Sequence, residues 1–364
     1  MTLKAPFTYF GGKSGIAQVV WDHFGDVPNY IEPFAGSMAV LLARPHWPWD
    51  GNRSETVNDK DCFLSNFWRA VQQDPEAVAM HCDWPVNEAD LVARHAWLRR
   101  NRKRHERKIK TDPYYFDAKI AGWWVWGASQ WLGSGWCFDD GAKSPEKIPN
   151  LGDGGAGVHR RSFGLELQAE DVGVKVPKLG GGEGVHRAGI KSLVAYFEKL
   201  AMRLRRVRVC SGEWYRVCGG KSGDAMAHFF ACGKTCGIFL DPPYTSAADR
   251  TMGVYSNDSG DVGHDAHRWA MAHGDDPRLR IALCGYEGEY DIPDSWECVE
   301  WKAVGGYGLI RKGKDRKKSK SRENAMRERV WFSPHCLVQS RLSAFGGHTN
   351  RRARVTLPGL DQED

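Results

Sequence analysis

Asn29-Tyr30-Ile31-Glu32-Pro33-Phe34-Ala35-Gly36-Ser37-Met38-Ala39-Val40-Leu41-Leu42-Ala43 is the stretch that decides the fold. Residues 29–34 read as a short buried strand running into a turn. Ser37 to Ala43 read as a helix with Ser37 at its N-cap. A strand, a glycine-bearing turn and a helix form the opening unit of a doubly wound α/β sheet. Glu55 to Asn58 supply a second short strand that ends at Asp59.

Working outward, residues 62–136 read as helical and are dense in tryptophan: Trp97, Trp123, Trp124, Trp126, Trp131 and Trp136. These rings are expected in the core rather than as readers of a ligand. Residues 150–189 are rich in glycine and lack apolar periodicity, the mark of a loop. Leu193, Val194, Phe197, Leu200, Ala201 and Leu204 return to helical spacing. Strand patterns then recur at Arg206–Cys210, Gly237–Leu240, Arg280–Cys284, Glu297–Trp301 and Arg329–Phe332. The expectation is a sheet domain interrupted by a helical and loop insert, closed by a polar tail at 338–364. No internal repeat is evident.

A chain of 364 residues has room for two or three domains. Its 41% hydrophobic and 26% charged residues fit a soluble globular protein. No apolar run is long enough to cross a bilayer, and Met1 to Phe10 lack the apolar stretch of a signal peptide. The expected compartment is therefore the cytoplasm, with no membrane partner. The ten cysteines include no CxxC pair, and the nearest two are Cys232 and Cys236, so no metal site is expected. The net charge of +6 is uneven. Arg99 to Lys110 and Arg311 to Arg322 each hold eight Lys/Arg against one acid. The two segments carry +14 between them, so everything else sums to −8. Such clustering suits a polyanion-binding surface, with Arg102, Lys103, Arg104, Lys317, Lys318 and Lys320 as the candidate phosphate contacts. The second segment lies between the last two strands and reads as a hairpin loop.

Asp241-Pro242-Pro243-Tyr244 follows the apolar run Gly237-Ile238-Phe239-Leu240 directly. Ligands of open α/β sheets bind beyond the carboxyl ends of the strands, so the motif stands where chemistry is expected. Its groups suit an exocyclic base amine, whose lone pair is delocalised into the ring. A carboxylate and a carbonyl that accept its two N–H bonds favour a tetrahedral nitrogen and aim the lone pair at an electrophile. Asp241 is the first acceptor and the Pro242 carbonyl the second. The two prolines stiffen the backbone and limit reorganisation. Tyr244 is placed to stack on an extruded base.

Four segments together resemble the Dam-type (class D12, alpha-group) DNA adenine N6-methyltransferases of bacteria and phages. They are Pro6-Phe7-Thr8-Tyr9-Phe10-Gly11-Gly12-Lys13, Ile31-Glu32-Pro33-Phe34-Ala35-Gly36-Ser37, Val57-Asn58-Asp59 and Asp241-Pro242-Pro243-Tyr244. The resemblance covers roughly residues 4–70 and 190–340, and their order is that of the group. It implies a Rossmann-like S-adenosylmethionine-dependent methyltransferase sheet with an inserted, mainly helical target-recognition domain. On that division 1–61 and 190–337 form the catalytic domain and 62–189 the recognition insert.

The resemblance also implies site roles. The cofactor, S-adenosyl-L-methionine, would be held by Tyr9, Gly12, Lys13, Glu32, Pro33, Phe34, Gly36, Asp59, Glu213, Trp214 and Asp241. Gly36 lets the backbone approach it, and Asp59 takes the ribose hydroxyls. Trp214 would stack on its adenine and Glu213 would accept from a polar edge, although the family more often has Asp-Phe than Glu-Trp there. Asp241, Pro242, Pro243 and Tyr244 would be catalytic. Double-stranded DNA is the implied partner, and the chain is expected to be a monomer or weak dimer.

Alternatives remain open at this level. N4-cytosine methylation uses the same amine logic, commonly with Ser-Pro-Pro-Tyr. A non-catalytic DNA-binding protein is opposed by the intact Asp59 and Asp241. C5-cytosine chemistry needs a Pro-Cys nucleophile, and no Pro-Cys occurs. Glutamine methylation goes with Asn-Pro-Pro-Tyr, and Asp241 stands in place of that asparagine. Gly11-Gly12-Lys13-Ser14 is not a Walker loop, because the earlier glycine position is Phe7. The bases around the target and any partner nuclease are not encoded in a readable form.

Overall fold

The computed structural model describes residues 3–7, 12–48, 53–85, 88–130, 136–137, 190–219, 235–244, 262–301, 327–337 and 353–356. Eight strands form one sheet: β1 (Asn29–Glu32), β2 (Ser54–Asp59), β3 (Val207–Ser211), β4 (Cys236–Leu240), β5 (Leu279–Tyr286), β6 (Glu297–Trp301), β7 (Glu328–Phe332) and β8 (Ala353–Thr356). Their order is β3-β2-β1-β4-β5-β7-β6-β8. The first five run parallel, and β7, β6 and β8 complete the sheet in antiparallel pairing. The order reverses between β1 and β4, which pair in register Asn29 with Cys236 and Ile31 with Ile238. A crevice opens at such a reversal beyond the strand carboxyl ends.

Both faces of the sheet are covered, and side chains alternate between two cores as strand pleating requires. Tyr30, Phe239, Ala282, Cys284, Val330 and Phe332 enter one core, while Ile31, Ile238, Leu240, Ile281, Leu283 and Trp331 enter the other. The first core is roofed by α1 (Ala17–Phe24), α3 (Cys62–Gln73), α4 (Pro75–Cys82), α6 (Ala118–Gln130) and α7 (Ile190–Leu204). Helix α1 presents Ala17, Val20, Trp21 and Phe24, and α7 presents Leu193, Phe197, Leu200 and Leu204, each an i, i+3/i+4, i+7 stripe. The second core lies under α8 (Val262–His273), with Trp269 and Ala270 against β4 and β5. Gly237 is required where α1 meets β4. A β-carbon there would lie 2.9 Å from the Phe24 ring.

Local chemistry sets the helix starts. Asp61 accepts from the Phe63 amide at 2.7 Å to cap α3, and Asp74 caps α4 with Pro75 in the first turn. Between them and α7, Glu55 of β2 receives Arg44 and Arg203, both buried, at 2.6–3.0 Å. These bonds tie the helix layer to the sheet.

Every strand expected from the sequence is present within two residues of its expected ends. The helical expectation for 62–136 resolves into α3, α4, α5 (Glu88–Thr111) and α6. Trp124 and Trp126 are buried, and Trp97, Trp123 and Trp136 pack against the core as expected. Trp131, the loop read at 150–189 and the basic segment 311–322 lie outside the described residues.

Two details differ from the sequence expectation. Ser37 does not cap the next helix: Met38, left-handed with φ 54°, precedes α2 (Ala39–Leu42), and no side-chain bond caps it. The segment read as a polar tail supplies β8, which pairs with β6 through Cys298–Thr356 to Trp301–Ala353. Backbone pairing at an open sheet edge needs little apolar sequence, so hydropathy gave no sign of it.

Candidate active site

The strand ends at the β1/β4 reversal border a cleft that is open to solvent. Its walls come from the end of β1 (Glu32 to Ser37), the end of β2 (Asn58 to Lys60), the turn after β3 (Gly212 to Trp214) and the end of β4 (Phe239, Asp241, Pro243). Gly12, Lys13, Ala39 and Val262 complete it. All expected cofactor residues within the described part therefore meet in one cavity, although they come from five separate regions of the chain. Tyr9 lies outside the described residues.

Asp59 organises one end. Its Oδ2 accepts from the Gly36 amide at 3.0 Å, and its Oδ1 accepts from the Asp61 amide at 2.9 Å. Gly36 has φ +46°, which permits the tight turn that aims its amide back at Asp59. Its carbonyl accepts from Trp68 Nε1 at 3.2 Å. Burial pushes the Asp59 carboxyl up to about 6, against the lowering effect of its backbone donors. Neighbouring Asn58 donates through Nδ2 to Pro33 O and to Gly212 O, both at 3.0 Å, and pins the turns after β1 and β3 together. Phe34 and Trp214 stack with ring centroids 5.7 Å apart and planes 30° apart, forming an aromatic wall. Glu213 is more exposed and pairs with Lys60 at 2.7 Å.

Glu32 lies at the floor, 2% exposed. Its Oε2 accepts from Tyr30 Oη at 3.0 Å and from the Leu41 amide at 3.2 Å. Burial pushes its carboxyl up to about 8, with the nearby Asp241 charge adding to the rise.

At the other end, Lys13 Nζ lies 2.8 Å from Asp241 Oδ1. The lysine enters on a 3-10 turn, Lys13–Gly15, and is 4% exposed. Burial raises the Asp241 carboxyl, while Lys13 and the hydrogen bond from Tyr244 pull it back down. The Tyr244 hydroxyl donates to Asp241 Oδ1 at 3.5 Å. The Tyr244 ring is 5% exposed and packs edge-on against Tyr286 at 4.5 Å, so in this conformation it is a core residue rather than an open stacking platform. Asp241 and Pro243 line the cleft, and Pro242 is buried behind it.

The basic residues divide. Lys103 and Arg104 are exposed on α5, and so are Arg100, Arg107 and Lys110. Arg102 is not part of that surface. It is 6% exposed, donates through Nη1 to Cys137 O at 2.9 Å and lies 3.6 Å from Asp61. The buried stripe of α5 is Leu91, Arg94, His95, Leu98, Arg102, His105 and Ile109, and Arg102 falls on its helical period. Lys317, Lys318 and Lys320 lie outside the described residues. Among those residues no group of His, Cys, Asp and Glu is arranged to hold a metal ion.

Sequence reasoning missed Lys60, Gly212 and Val262 on the cleft wall, and Glu328 behind Lys13. Lys60 and Gly212 adjoin recognised motifs, so adjacency was an available signal. Val262 and Glu328 carried none.

No curated protein matches the chain. Residues 9–117 match the model of the D12 class N6 adenine-specific DNA methyltransferase family. That segment includes Glu32, Gly36 and Asp59 of the cleft, together with α3 and α5. Over residues 9–117, which supply the β1 and β2 side of the cleft, the chain is thus similar to the D12 class N6 adenine-specific DNA methyltransferases.

Proposed function

We propose that this chain is a DNA adenine N6-methyltransferase that draws its methyl group from S-adenosylmethionine bound in the β1/β4 cleft and delivers it to an adenine turned out of the duplex beside Asp241. One observation carries the proposal: Asp59 and Asp241, from opposite sides of the sheet reversal, line the same cleft. The residues suit the donor. Asp59 is a carboxylate at the end of the second strand, the place of a ribose acceptor. Phe34 and Trp214 offer aromatic surface for an adenine ring. Gly36, held at positive φ, has no side chain to obstruct the approach. Bound S-adenosylmethionine supplies an electrophilic methyl on a sulfonium.

The protein's part is to position the amine and manage its proton. Asp241 accepts one N–H of the adenine amine and the Pro242 carbonyl accepts the other, which localises the nitrogen lone pair. Lys13 holds Asp241 by its Oδ1 and fixes the carboxylate plane. Asp241 then takes the proton released when the nitrogen becomes methylated. The exposed face of α5, with Lys103 and Arg104, meets DNA phosphates, and target recognition falls within 62–189 to the residues outside α3, α4 and α6, the helices that roof the sheet.

Asp241→Ala tests the assignment. Methyl transfer to DNA should be lost while donor binding, measured by calorimetry, survives, because the contact matters mainly in the transition state. Near-normal turnover would overturn it.

A further inference from the structure

Lys13 stands between two carboxylates. Its Nζ is 2.8 Å from Asp241 Oδ1 and 3.9 Å from Glu328 Oε2. Glu328 opens β7, opposite Tyr286 of β5, and is 6% exposed. Among the described residues its Oε2 is buried without a hydrogen-bond partner. A buried carboxylate oxygen lacking a donor is costly. Sheet packing does not call for an acid there, since Val330, Trp331 and Phe332 of the same strand are buried apolar residues. The three groups run inward from the cleft: Asp241 lines it, Lys13 borders it, and Glu328 sits behind.

The chemistry needs such a group. Methylation leaves the adenine nitrogen with one proton too many, and Asp241, on the assignment above, takes it. Asp241 must be ionised again before another amine can be held. We propose that Glu328 is a positioning residue that receives this proton through Lys13. An Nζ–H bond of the Lys13 ammonium breaks as Glu328 gains an O–H, and the lone pair this leaves on Nζ takes the Asp241 proton as the Asp241 O–H bond breaks. Lys13 begins and ends as an ammonium, Asp241 regains its charge, and Glu328 later returns the proton to water. The Lys13–Glu328 separation must close by about 1 Å for a hydrogen bond, within the swing of a lysine side chain.

The electrostatic setting agrees. Burial pushes the Glu328 carboxyl up to about 7, with Lys13 opposing the rise and Asp241 adding to it. That value suits a group that gains and loses a proton near neutrality. Among the described residues, the charged and titratable groups around it are Lys13, Asp241 and the Cys284 thiol on β5 (raised by burial). Tyr244 and Trp301 face Lys13, with ring centroids 5.3 and 5.7 Å from Nζ. Neighbouring Arg329 donates to the Glu328 backbone carbonyl and sends its charge to Glu287 and Glu300.

The test is the multiple-turnover rate of Glu328→Gln across neutral pH, set beside its single-turnover rate, with tritiated S-adenosylmethionine and plasmid DNA free of adenine methylation. The expected result is a multiple-turnover rate about 100-fold lower, with its acidic limb near pH 7 gone, while the single-turnover rate and the donor affinity are unchanged. Glu328→Asp should recover part of the rate with a displaced limb. An unchanged rate and limb in Glu328→Gln would overturn the proposal, as would a rate loss matched by an equal loss of donor affinity. If the glutamine variant does not fold, Glu328→Asp decides, and a limb at the parent's pH refutes the relay. Asp241→Asn separates this from the underlying assignment: normal turnover in that variant removes Asp241 from the chemistry whatever Glu328 does.

Discussion

Asp59 makes the sharpest quantitative case, because its ionisation and its contacts are both defined. Its carboxyl is pushed up to about 6 by burial, while its two oxygens accept from the Gly36 and Asp61 amides. If the ionised form receives the donor's ribose hydroxyls, donor affinity must rise as pH passes upward through about 6. One unit below that value only about one molecule in eleven is ionised, so affinity at pH 5 should be about tenfold weaker than at pH 7.5. Glu32 titrates higher, at about 8, and contributes little over this range. Asp59→Asn removes the charge but keeps an amide oxygen for one backbone donor. A charge-assisted bond is worth roughly 1.5–3 kcal/mol, so the variant should bind about 10- to 150-fold more weakly at pH 7.5 and lose the pH dependence. Titration calorimetry with S-adenosylmethionine in the absence of DNA measures both. A flat parental affinity from pH 5 to 7.5, or parental affinity in Asp59→Asn, would refute the reasoning.

The remaining expectations concern the floor of the cleft and α5. Glu32 is raised from 4.5 to about 8, so the folded state holds a proton that the unfolded state releases between those values. Its contribution to stability is therefore full below about pH 4.5 and is lost as pH rises toward 8, with a slope of up to about 1.4 kcal/mol per unit. Urea melts should show a flatter pH curve for Glu32→Gln than for the parent. Arg102→Ala should destabilise by about 3 kcal/mol through the loss of a buried charged partner, and leave the salt dependence of DNA binding untouched. Lys103→Ala with Arg104→Ala should do the opposite, making the log–log salt slope shallower by up to about 1.8 in fluorescence anisotropy.

Much of the site was legible because its signals are local. Glu-Pro-Phe-Ala-Gly, Asn-Asp and Asp-Pro-Pro-Tyr each sit just past a short apolar run, and strand ends carry the ligands in such sheets. Alternation between two buried faces made the strands apolar throughout, which marked them one by one. The α5 stripe misled for a related reason. Its buried face is partly written in Arg and His, so composition placed Arg102 with the exposed basic residues, although its helical phase is that of Leu98 and Ile109.

By itself, then, the amino-acid order determined the strands, the turns after them and the chemical character of each turn, because these depend on neighbours a few residues apart. Only the tertiary structure decided that β4 lies beside β1, so that Glu32 and Asp241 share a cleft. It alone brought Lys13 against Asp241, put Glu328 behind that pair and added β8 to the open edge. These are contacts between residues far apart in the chain. They arise from burying two apolar faces of one sheet together, and no local pattern records which distant side chains that burial makes neighbours.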